Sequence, residues 1–178
     1  MALFLVESNF SGKANTKEAF EKEIINIQET LKGQNILLIE VQVSKDFGRT
    51  FFIFESETQD KLNEALRQVE IPVSLTKAVK LVGTDLDDVK NEANKVNYLV
   101  EWNLPENLTM DKYLTRKKEN SVHYAEVPEV EFSRTYVCED LTKCLCFYDA
   151  PNEEVLKKAR EAVKAPIDSI TEILSEEK

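Results

Sequence analysis

Three thiols stand close together in the second half of the chain, at Cys138, Cys144 and Cys146. Thiolates are soft ligands that suit zinc, nickel or copper. Cys144 and Cys146 are two residues apart, so a strand turns both to one face, with Tyr148 beyond them. Cys138 lies across the intervening turn and is expected to be the exposed thiol. The Cys-x5-Cys-x-Cys spacing follows no standard zinc knuckle. An odd number of cysteines in an intracellular chain reads as free thiols rather than a disulfide framework. For Cys146 the stronger expectation is packing, since free cysteine behaves as a small hydrophobe.

Four other residue types could do chemistry. Arg134 and Tyr136 alternate on one strand, and a cation and a phenol projecting the same way could hold an oxyanion; the plainer alternative is an arginine paired to a carboxylate. Glu101, like Glu7, sits inside an apolar strand and must be solvated, ion-paired or used as a ligand or base; pairing to a nearby Lys or Arg is the expectation. His123 is the single histidine and could complete a site with Tyr124, Glu126 and Glu129 near it, although a lone loop histidine is more often a surface residue. The candidate ligand residues are therefore Glu101, Arg134, Tyr136 and Tyr148. The candidate donors for a divalent transition metal, nickel or zinc, are His123, Cys138, Cys144 and Cys146. No phosphate-binding loop is present, because the four glycines are isolated.

The elements that would position these residues come in two similar sets. Leu5-Val6-Glu7-Ser8-Asn9 returns 94 residues later as Leu99-Val100-Glu101-Trp102-Asn103. The same offset pairs Val43 and Asp46 with Val137 and Asp140, and Leu62, Ala65, Val69 and Pro72 with Leu156, Ala159, Val163 and Pro166. Eleven identities fall in 78 ungapped positions, against roughly five by chance for ordinary composition. In the first set, short apolar runs at 3–8, 36–43, 49–55 and 75–82 read as strands. A turn is expected at Ser11-Gly12-Lys13, a helix capped by Asn15 or Thr16 runs to Lys32, and a second helix covers 58–70. The second set reads as strands at 97–102, 130–137, 143–149 and 168–174, with helices at 109–120 and 152–164. Ser121–Glu129 reads as a loop, and Arg116-Lys117-Lys118 as a solvated helix face.

The order β-α-β-β-α-β is the split βαβ motif of ferredoxin-like domains. The fold class expected is α+β, two tandem ferredoxin-like units forming an intramolecular pseudo-dimeric α/β barrel with the helices outside. The units are expected at 1–83 and 96–178, joined by a polar linker at 84–95. Residues that match across the units would be scaffold. Those that differ, Glu40/Arg134, Gln42/Tyr136, Ser44/Cys138 and Thr50/Cys144, are where function is expected.

A net charge of −10 argues against nucleic acid, whose binding needs clustered Lys and Arg. No apolar run approaches the roughly 20 residues of a membrane span, and the start of the chain lacks a signal-peptide pattern. A soluble cytoplasmic protein is expected.

Phe132–Pro151 resembles the aromatic-x-x-Ser/Thr-Tyr-Val … Lys-x-x-Cys-x-Tyr-x-Ala-Pro signature of a small bacterial family of uncharacterised domains that includes a nickel-binding protein. The resemblance extends through Tyr98–Glu101, Glu153–Ala162 and Ser169–Glu172, most of the second unit. It implies a ferredoxin-like domain that pairs into a dimeric α/β barrel, with metal binding in at least one member. The signature positions here are Tyr136, Lys143, Cys146, Tyr148 and Pro151. Lys158 and Arg134 stand where some members have histidine. The function expected is binding of a small ligand or metal ion, with a cofactor-independent enzyme using Arg134 and Tyr136, or an interaction module, as alternatives. The internal pseudo-dimer is the one association expected; further oligomerisation is left open.

Overall fold

A computed structural model describes residues 1–9, 16–92 and 95–174. The turn expected at Ser11-Gly12-Lys13, and Asn15, lie outside the described residues. Contacts divide the chain into two compact units: Met1–Val79 with Leu86–Ala93, and Lys80–Asp85 with Asn94–Lys178. Among the described residues are eight strands, antiparallel in their pairings, and five α-helices. No helix there is long and apolar enough to cross a membrane.

The first unit contains β1 (Ala2–Ser8), α1 (Lys17–Lys32), β2 (Leu37–Val43), β3 (Thr50–Ser56), α2 (Gln59–Gln68) and β4 (Leu75–Val82), whose last residues fall to the second unit. Its strands lie in the order β2-β3-β1-β4. Thr16 caps α1 by accepting from the Ala19 N–H, and Thr58 caps α2 through Lys61. The α1 stripe Phe20, Ile24, Ile27 and Leu31 is buried, as are Leu62, Ala65 and Leu66 of α2. Phe52 and Phe54 stack on β3 with ring centroids 5.4 Å apart. A short helix, α3 (Leu86–Glu92), forms within the polar stretch expected to be linker; its Val89 is buried and it packs against β2.

The second unit contains β5 (Tyr98–Asn103), α4 (Met110–Asn120), β6 (Glu131–Cys138), β7 (Lys143–Asp149), α5 (Glu153–Ala162) and β8 (Ser169–Glu172), with strand order β6-β7-β5-β8. Asn152 caps α5 by accepting from the Val155 N–H, and Thr109 caps α4 through Lys112. The segment after α4, expected as a loop, is a 3-10 helix at Ser121–Glu126. The Ser121 hydroxyl donates to the Lys117 carbonyl and carries the turn on from α4.

Backbone irregularities recur at the 94-residue offset. Both second strands bulge, at Leu38/Glu40 and at Phe132/Arg134. Left-handed residues occur at Phe47 and Leu141 in the hairpin turns, and at Glu70 and Lys164 after the second helices. Glu7 pairs with Arg49 at 2.7 Å, and Glu101 with Lys143 at 3.0 Å.

Candidate functional site

β7 presents Cys144, Cys146 and Tyr148 to the helix-covered face of its sheet, where they join the core with Tyr113, Leu156 and Ala159. Their positions follow from two-residue alternation. The cross-strand partners of Cys144 and Cys146 are Val137 and Thr135. Cys138 therefore points to the opposite face. It is also fully buried, which overturns its expected exposure. Burial pushes its thiol up in pKa, partly offset by a hydrogen bond with Thr142.

The bulge decides the faces of β6. Phe132 pairs with Tyr148 and Arg134 with the adjacent Phe147. Uninterrupted alternation would have put Phe132, Arg134 and Tyr136 together. The extra residue, Ser133, separates them. Phe132 packs on Tyr124 and Tyr148, while Arg134 and Tyr136 lie with Phe147 on the face turned away from α4 and α5. Both are buried, and Arg134 also donates to Ser133 Oγ at 2.6 Å.

The helix-covered face holds a connected polar network. Arg160 of α5 is 1% exposed. Its Nη1 donates to the Tyr148 hydroxyl at 3.0 Å and its Nη2 to the Pro166 carbonyl. Its Nε is buried without a hydrogen-bond partner. Among the described residues no carboxylate lies at ion-pair distance from it. The Tyr148 hydroxyl also meets that of Tyr124 at 2.5 Å. The Thr135 hydroxyl donates to Cys146 Sγ at 3.2 Å.

A cavity of about 30 Å³ opens in this network, walled by Cys144, Cys146, Arg160, Tyr113, Trp102 and Lys117, among others. That is room for a single water-sized group. An open basin of about 580 Å³ lies outside it, lined by Phe132, Leu114, Lys118 and Glu131. Lys117, Ser121 and Tyr124 belong to both walls. Gly83 lines the basin at a φ of +100°, and a Cβ there would come within 3.0 Å of the Phe132 ring. Of the helix face expected to be solvated, Arg116 and Lys118 are exposed, while Lys117 is half-buried with its Nζ 4.5 Å over the Phe132 ring. Its neighbour Arg116 lies over the Trp102 ring.

The electrostatics follow from burial and from the two cations. The hydrogen bond from Cys144, then Lys117, Arg160 and Thr135, hold the Cys146 thiol well below the usual thiol range. The Cys144 thiol is pushed well above it, first by that same hydrogen bond and then by burial. Burial raises the phenols of Tyr113 and Tyr148, and raises that of Tyr124 to about 12. Arg160 is held charged, against the cost of burial, by Cys146 and the tyrosines.

Of the residues expected to act, Cys144, Cys146 and Tyr148 come together. Glu101 is bound to Lys143. His123 is half exposed, pairs with Glu126 at 2.6 Å and lines neither cavity. Sequence reasoning missed Arg160 and Lys117, and named Tyr124 only as a neighbour of His123. A signal for Arg160 was present: at the 94-residue offset it replaces Leu66, on the buried stripe of the second helix. Cys146 and Tyr148 likewise replace Phe52 and Phe54. The first unit fills this space with hydrocarbon; the second fills it with thiols, phenols and a guanidinium.

Residues 98–173, under half of the chain and all in the second unit, match a family model described as nickel responsive protein SCO4226-like. The donors present do not fit a nickel ion, which prefers four or more nitrogen, oxygen or sulfur ligands. Among the described residues no group of three His, Cys, Asp or Glu side chains is placed to hold a metal. No curated protein matches the chain. Among solved structures, the chain is similar over 98% of its length to 96% of a protein assigned provisionally as a chlorite dismutase, at 12% identity and a TM-score of 0.54. It is similar over 98% of its length to 94% of a protein provisionally described as a monooxygenase from Lactobacillus acidophilus NCFM, at 12% identity and a TM-score of 0.50. These neighbours have the chlorite dismutase-like dimeric α/β-barrel fold, and at such identity the likeness is one of fold alone.

Proposed function

We propose that this protein binds a small ligand or metal ion in the second unit, at the thiol-lined cavity reached from the neighbouring basin. The observation that carries this reading is Arg160. A guanidinium at a position where the first unit has a buried leucine costs several kcal/mol of desolvation. A purely structural core would keep the leucine. Here the arginine faces two thiols and a void instead of a carboxylate. The match of residues 98–173 to a nickel-responsive family supports a metal ion as one class of ligand.

Trp102, the chain's single tryptophan, lines the cavity and reports its occupancy. Titrating the whole protein with nickel, zinc and cuprous ions, and with formate, nitrite and chloride, should give a saturable change in tryptophan fluorescence for at least one. Lys117→Met should weaken that binding by about tenfold, the effect of losing roughly 1.4 kcal/mol. A flat fluorescence response to all six would overturn the reading.

We infer also that each unit is ferredoxin-like and that the chain is an internal duplication folded as a pseudo-dimeric barrel. The shared bulges, left-handed residues and ion pairs support this, as does the likeness to dimeric α/β-barrel proteins across 98% of the chain. A second reading, a cofactor-independent enzyme, draws on Arg134 and Tyr136, which are buried on one face. It requires substrate to reach that face, and Arg134→Met would then abolish turnover without loss of fold.

A further inference from the structure

We propose that Cys144 and Cys146 form a two-coordinate site for one soft monovalent d10 cation, cuprous ion above all, with Arg160 as its buried counter-charge. This rests on the reading that the thiol cavity takes a ligand, and it names the ligand's class.

Donor number is the first argument. The two thiols share one face of β7 and line the same cavity. Cys138 is turned to the other face, and among the described residues no third His, Cys, Asp or Glu joins them. Zinc asks for four ligands and calcium or magnesium for six or more oxygens. Soft thiolates select Cu(I), and a d10 ion has no electronic demand for a third or fourth ligand.

Charge is the second. Both sulfurs bind as thiolates, any proton they carry passes to solvent, and the metal's oxidation state is unchanged. Two thiolates and one monovalent ion sum to −1. Arg160, in the same wall and with its Nε unpartnered, neutralises that charge where water cannot. A divalent ion between the same two thiolates would make a neutral complex and leave the guanidinium uncompensated.

Space is the third. A cavity of about 30 Å³ admits a bare ion but not one that keeps several waters. The first unit has Thr50, Phe52 and Leu66 at the corresponding positions, so one ion per chain is expected. Cysteines packed merely as small hydrophobes would explain neither the arginine nor the void.

The test is an anaerobic titration of the full chain with cuprous ion against a chromogenic cuprous chelator. One equivalent should be withdrawn from the chelator. Cys144→Ser and Cys146→Ser should each weaken binding by at least about 100-fold, more than the loss of an outer-shell partner usually costs. Cys138→Ser should leave binding unchanged, and Arg160→Met should weaken it with the stoichiometry kept. X-ray absorption on the unaltered loaded protein gives a readout independent of how the variants fold. Two sulfur neighbours at the copper support the site; three or more neighbours, or nitrogen and oxygen neighbours, overturn it. Failure to compete with the chelator overturns it too. If tryptophan fluorescence still responds to another ion or anion, the small-ligand reading stands while the cuprous site falls.

Discussion

The Tyr148 hydroxyl is the joint of the second unit's polar network. It is buried and meets both the Tyr124 hydroxyl and the Arg160 guanidinium. Tyr148→Phe keeps the ring and removes one atom. It leaves two buried polar groups short of a partner, and each such loss costs about 1–3 kcal/mol. Urea unfolding should show a loss of that order, and an unchanged midpoint would mean the network contributes nothing to stability. The matching position in the first unit is already phenylalanine, Phe54, stacked on Phe52. The hydroxyl is therefore not needed to build this kind of core. It is needed where Arg160 is present.

At the scale of elements, the β6 bulge and the helix ends matter most. One extra residue at Ser133 turns Arg134 and Tyr136 away from the helices and leaves Phe132 to wall the basin. The sequence alternation before the bulge is correct, and after it every face is reversed, because side-chain period in a strand is two. Composition carries no mark of that slip. The left-handed residues Glu70 and Lys164 close α2 and α5 at φ of 58° and 56°. Both side chains are exposed. A residue with a Cβ pays about 1–2 kcal/mol in that region, and glycine avoids it at some cost in unfolded-chain entropy. Glu70→Gly and Lys164→Gly should each raise stability by about 0.5–1 kcal/mol in denaturant titration. Lower stability in both would show that these side chains make contacts the backbone argument omits. Asn152→Ala, which removes the α5 cap, should instead cost about 1 kcal/mol.

Across the whole molecule, the buried phenols set an alkaline limit. Their folded values are raised above the unfolded value of about 10. A raised acid is stabilised in its neutral form. Its contribution is complete below the unfolded value and is lost as pH rises through the folded one, about 12 for Tyr124. Stability should therefore fall above about pH 10, and the phenolate absorbance of Tyr113, Tyr124 and Tyr148 should appear together with unfolding. Phenolate absorbance from all three while aromatic circular dichroism stays native would contradict their burial.

The order of strands and helices was legible in the residues themselves, because hydrophobic period, caps and turns are local. The fourfold set of Leu62/Leu156, Ala65/Ala159, Val69/Val163 and Pro72/Pro166 marked the second helices and their ends. The importance of Cys146 and Tyr148 was legible in part, as a family signature without a mechanism. Tertiary structure alone decided that Cys138 is buried on the far face, that Lys117 reaches inward, and that Arg160 closes on Tyr148 and the thiols. Those are matters of which side chains converge from distant points of the chain, as Arg160 does on Tyr148 and Lys117 on Phe132. Convergence depends on strand register, and register depends on a one-residue bulge that local propensity does not encode.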